Sequence, residues 1–132
     1  LEKRLHKANQ GFEFAAKRAQ LADVVLRGGF PEEAVRPLRD ALGWALSSHL
    51  ALVSDRDPNA ELPAARIVQA ELVEPGHLSD ALAGRCAQAR ELTEPPTSGD
   101  TPLLSAKSAE QLLTTVREVI ETGQKRAAEK GL

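Results

Sequence analysis

Few residues in this chain carry side chains that could do chemistry, and their spacing excludes most of the familiar arrangements. The three histidines, His6, His49 and His77, fall on different predicted elements. None stands four residues from another, the spacing that puts two imidazoles on one helical face around a zinc ion. Cys86 is the single cysteine, with no other cysteine or histidine close to it in sequence. Gly28-Gly29 is followed by Phe30-Pro31 and not by the Lys-Ser or Lys-Thr of a phosphate-binding loop. No serine, cysteine or aspartate sits in a recognisable nucleophile setting. The expectation is therefore no metal, no cofactor and no catalytic constellation. His49 falls on the apolar stripe of a predicted helix. Its plain reading is a core-edge histidine bonded to a carbonyl, while an acid–base role requires a cleft and a carboxylate from another helix.

Two surfaces are candidates for binding. The first is built around Trp44, which lies off the main apolar stripe of its helix, with Arg36, Asp40 and Ser47 nearby. A tryptophan on a polar face is either covered by a neighbouring helix or serves as an anchor for a partner. The second is the basic side of the first helix, Lys3, Arg4, Lys7, Lys17 and Arg18. It reads as a solvated helix face or as a stripe that contacts phosphates. Phe14 is the one aromatic among these basic residues, which is sparse for a surface that stacks single-stranded bases.

The elements that hold these residues are helical throughout. Periodicity predicts a first helix over residues 2–27, with Leu1, Leu5, Ala8, Phe12, Ala15, Ala16 and Ala19 on one side. Its second half gains another apolar side through Phe14, Leu21 and Val25, which predicts a helix sandwiched between neighbours. Gly28 or Gly29 supplies the left-handed cap. The second helix starts at Pro31 and runs to Val53 on the stripe Ala34, Leu38, Ala41, Leu42, Ala45, Leu46, Leu50 and Val53. Pro37 is expected to bend its second turn. Residues 54–63 read as an exposed loop, residues 64–73 as a short third helix, and residues 78–92 as a fourth with Leu78, Leu82, Cys86 and Ala89 inward. A second exposed loop, residues 93–104, leads to the last helix. There Ala109, Leu112, Leu113, Val116, Val119, Ile120, Gly123 and Ala127 repeat at helical spacing, and Ser108 with Gln111 matches a capping box.

Composition agrees with this class. At 132 residues and 42% hydrophobic, with three Phe, one Trp and no Tyr, the chain suits one all-α domain with an aliphatic core. The net charge of -2 gives no bulk attraction to nucleic acid or anionic lipid. No apolar run reaches the roughly 20 residues of a membrane span. A lone cysteine predicts no internal disulfide and no secretory context, and so a cytoplasmic protein. The absence of Met, the large Leu1 and a helical pattern already under way at the first residue suggest a domain excised from a longer polypeptide.

The stretch from Phe14 to Leu52, including AAKRAQLADVVLRGGFPEEAVRPLRDALGWAL, resembles the opening helices of HEPN-type domains. In these a leucine-rich helix, a Gly-aromatic turn and a Glu-Ala step lead into a second long helix. The later LPAARIVQAELVEPGHLSDALAGRCAQAREL looks like the third and fourth helices of that family. Its ribonuclease members carry an arginine, four to six residues, then a histidine. Here His49 follows Arg39 by ten residues and His77 follows Arg66 by eleven, so the chain resembles a non-catalytic member. The resemblance implies a binding or dimerisation module, an accessory domain of a larger, bacterial helicase-like or other nucleic-acid-handling protein. A second resemblance, carried by Leu26, Gly28-Gly29, Phe30, Ala34, Ala41 and Leu42, is to one tetratricopeptide unit. Such units bury a core only when stacked, and no second 34-residue copy is present. The expectation is an up-and-down antiparallel bundle of about five helices. It would act through helix faces on a protein partner or on itself, with nucleic-acid binding by the basic side of the first helix as the alternative.

Overall fold

In the computed structural model, which describes residues 2–95 and 104–131, the chain is an up-and-down bundle of five helices with no strand among those residues. Helix α1 spans Glu2–Arg27. It ends in the double-bonded turn that glycine favours: the Phe30 N–H donates to Val25 O, the Gly29 N–H donates to Leu26 O, and Gly29 takes φ +89°. Pro31–Ala34 then forms a single 3-10 turn before α2, Val35–Val53. This changes the part played by Pro37. Because the α-helix proper begins at Val35, Pro37 lies in its first turn, where the backbone N–H has no intrahelical acceptor to lose.

Helix α2 is the axis of the molecule. Of its 19 residues 14 are buried, and α1, α5 and α4 all pack on it. The chain then crosses back over α2 through residues 54–64. This connection is held to the bundle: the Ser47 hydroxyl donates to Asn59 O (2.8 Å) and accepts from the Asn59 N–H (2.9 Å). Helix α3, Ala65–Val68, runs straight into a π-helical turn, Gln69–Val73. A tight turn follows, in which the His77 and Leu78 N–H groups both donate to Leu72 O. Helix α4, Asp80–Leu92, is capped by the Ser79 hydroxyl, and α5 covers Ala106–Lys130.

The start of α5 differs from the expected one. The capping hydroxyl is that of Ser105, which accepts from the Ser108 N–H at 3.1 Å. Leu104 just before it is buried, as is Ala109, the two positions a hydrophobic staple uses to fix the entry of a helix. The expected exposed loop over residues 93–104 is therefore anchored at both ends. Thr93 is buried, and its hydroxyl donates to Ala89 O and accepts from Arg39. Residues 96–103 lie outside the described part.

Two apolar clusters result. The larger joins Leu38, Leu42 and Leu46 of α2 to Leu72, Leu78, Leu82, Cys86, Leu112 and Val116. The smaller, where the N-terminal half of α1 meets the C-terminal half of α5, contains Ala8, Phe12, Ala51, Leu52 and Ala127, with Leu5 against it. Each fully buried leucine or phenylalanine contributes about 1.5–3 kcal/mol relative to exposure, so the aliphatic stripes account for the antiparallel packing.

Candidate functional site

The second apolar side of α1 is where the structure departs most usefully from expectation. Ala8, Phe12, Ala15, Ala19 and Ala22 are buried, as one stripe requires. The other side is covered only in part: Val25 is half-buried against the main core, but Phe14 is 48% exposed and Leu21 42%, with Val24 next to Val25 56% exposed and Phe30 in the turn beyond 57% exposed. Among the described residues only Leu92 adds another exposed large hydrophobic. The apolar surface left open is thus concentrated on one helix and its terminal turn.

Trp44 belongs to this surface. It is half-buried, packed against the main core on one side, and stacked on Phe14 on the other, with ring centroids 4.9 Å apart and planes 29° from parallel. Helix α1 therefore covers the indole through a side chain that is itself half open to solvent. The rest of the Trp44 group separates. Arg36 is exposed and paired with Asp40 (3.2 Å) one turn along the helix. Ser47 is 6% exposed and is no surface residue: its hydroxyl donates to Asn59 O, with a longer bond to Trp44 O, and accepts from the Asn59 N–H, fastening the crossing loop to α2.

The basic residues of α1 are divided in the same way. Lys3 and Arg18 point to solvent, and Arg4 is partly covered. Lys7 is engaged by Asp57 of the crossing loop at 2.7 Å. That hydrogen bond and charge hold its ammonium above its ordinary pKa. Lys17 lies 5.9 Å from the centroid of the Phe14 ring. Lys17 thus lies on the apolar side of α1 between Phe14 and Leu21, with Arg18 at its edge, and the two do not continue an unbroken cationic stripe.

His49 has a firm assignment. It is completely buried, edge-on to Phe12 at 5.4 Å. Its Nε2–H donates to Val119 O (2.8 Å), and its Nδ1 accepts from Arg126 Nη1 (2.9 Å). An arginine can only donate, so this pair of bonds fixes the neutral tautomer. Burial first, with the Arg126 charge adding to it, pushes the imidazole down to about 4 against the opposing hydrogen bond to Val119. The histidine is the core residue of the plain reading. Its polar neighbour from another helix is a cation, not the carboxylate that acid–base chemistry requires. Room for it comes from Gly123, where a Cβ would collide with the Phe12 ring and approach His49 Nε2. Cys86 is also buried, and desolvation raises its thiol to about 12, which keeps it protonated at neutral pH.

Sequence reasoning missed Arg126. The fold brings it to His49 across 77 residues, and no local spacing announces such a pair. Beside it, an open cavity of about 490 Å³ is lined by Gly76, His77, Thr122, Lys125, Arg126, Glu129 and Lys130. No helix among the described residues is long and apolar enough to cross a membrane. Comparison with family models, with curated proteins and with solved structures finds no match for this chain.

Proposed function

We propose that the chain is a non-enzymatic helical module that pairs with a second copy of itself through the open side of α1. The observation that carries this reading is the apolar stripe Phe14, Leu21 and Val24, continued by Phe30 and backed by Trp44. Helical residues seven apart lie on one side of a helix, so Phe14 and Leu21 form a seam for another helix. Lys17, one helical turn from both Phe14 and Leu21, lies within the seam, and Arg18 at its edge supplies the polar rim that such contacts use. The resemblance to non-catalytic HEPN-type domains supports the same reading, and with it a role as an accessory domain of a larger nucleic-acid-handling protein. Phosphate contact by α1 has less support, because Lys7 is already paired and Phe14 interrupts the basic side.

The test is molar mass by size-exclusion light scattering over a concentration series. The wild-type chain reaches twice the monomer mass at high concentration. A Leu21→Ser, Val24→Ser double variant, altered at exposed positions and leaving the Phe14–Trp44 stack in place, stays monomeric with its helical content intact. A wild-type chain that is monomeric throughout, or a variant that still dimerises, contradicts the proposal.

A further inference from the structure

Arg126 poses a problem of charge that the protein does not solve internally. It is partly buried. Its Nη1 is committed to His49, and its Nη2 is shielded from solvent with no hydrogen-bond partner. A neutral imidazole accepts one hydrogen bond but leaves the guanidinium charge uncompensated, and a desolvated cation is costly without a counter-charge. Among the described residues Arg126 forms no salt bridge. Glu129 is the one carboxylate lining the adjoining cavity, and it favours the charged form of Arg126. Lys125 and Lys130 line the same cavity, as do the Thr122 hydroxyl and His77.

We propose that the cavity between the Gly76–His77 turn and the last turns of α5 binds a phosphate dianion. Arg126 forms its inner wall, and Lys125 and Lys130 form its rim. Three cations less one carboxylate leave a surplus of two positive charges, which matches a phosphate monoester or inorganic phosphate and exceeds the single charge of a phosphodiester. The Lys125 and Lys130 ammoniums and the Thr122 hydroxyl supply the donors on the cavity side, and Arg126, with Nη1 held by His49 and Nη2 shut off from solvent, adds its positive charge from the wall. His49 fixes the guanidinium from behind, so the site has a preset wall and a flexible lysine rim. His77 supplies a reporter. Burial and the charges of Arg126 and Lys130 lower its pKa, and a bound dianion reverses the effect of those charges. This site lies where the C-terminal half of α5 meets the turn before α4, and it does not depend on the dimerisation reading.

The experiment is a titration of the full chain with inorganic phosphate, followed by the NMR signals of the His77 and His49 rings. Dimethyl phosphate and chloride at equal ionic strength serve as the comparison. The expected result is a saturable shift of both rings with phosphate, a raised His77 titration midpoint, and no saturation with the diester. A Lys125→Gln, Lys130→Gln variant, changed only at exposed positions, binds roughly five- to tenfold more weakly. Three outcomes overturn the proposal: no saturable shift beyond that with chloride, equal response to the diester, or unchanged phosphate affinity in the double variant.

Discussion

The two apolar clusters of the bundle are built on different physics. In the larger one, leucines and valines of α2, α4 and α5 meet, with Cys86 among them as a small buried residue, and no member depends on a side-chain hydrogen bond to another. In the smaller one, Phe12 fits between a glycine that has no room for a Cβ and a histidine held by one carbonyl and one guanidinium. The first cluster is specified redundantly by hydrophobic pattern. The second depends on single atoms, because a buried polar group that loses its partner incurs the full cost of its desolvation. Stability is therefore spread broadly in one region and concentrated in the other, and it is the concentrated region that borders the cationic cavity.

Substitutions sharpen this contrast. Phe12→Ala removes the only large aromatic of the smaller cluster and leaves a cavity beside His49, with an expected loss of about 4 kcal/mol in urea denaturation. A loss under 1 kcal/mol would mean that the cluster collapses easily and is not held by His49. The next effect is on acid stability. The folded His49 titrates near 4, below the ordinary histidine value, so the unfolded chain binds the extra proton first. The contribution of neutral His49 is complete above about pH 6.5 and is lost as pH falls toward 4, an effect of up to about 3 kcal/mol. His77 acts in the same direction. A His49→Gln variant should flatten this acid limb, and an unchanged limb would assign it to other groups. Gly123→Ala should cost about 2 kcal/mol, since its Cβ meets Phe12 and His49. Gly84→Ala, in the exposed middle of α4 with open space around it, should instead stabilise by about 0.5–1 kcal/mol. If the two glycine variants behave alike, the contrast between packed and open helix faces fails.

Much of the fold was legible because the helical period carries it. The stripes of α2, α4 and α5 are buried as read, with Val53 alone only half so. What periodicity could not say is which apolar side finds a partner. The pattern around Phe14, Leu21 and Val25 is that of a sandwiched helix, yet α2 takes the central place and only Val25 reaches the core, leaving Phe14 and Leu21 half open, because a helix wheel records amphipathicity and not neighbours. Caps suffered in a similar way. Ser105 and Ser108 both precede plausible first turns, and burial of Leu104 decides between them. Ser47 read as surface because serine is usually exposed, whereas here it replaces a missing backbone partner for Asn59. The His49–Arg126 pair joins α2 to the end of α5, and neither residue's surroundings in sequence hold a trace of the other.

The central claim, that the open side of α1 is a self-association surface, is tested most directly by the one tryptophan of the chain. Trp44 is stacked beneath Phe14, so its access to acrylamide reports on whether that side is covered. Fluorescence quenching measured across a dilution series should be strong in dilute protein and weaken as concentration rises, following the increase in molar mass. Quenching that is the same at every concentration while the molar mass doubles would place the contact elsewhere and contradict the account.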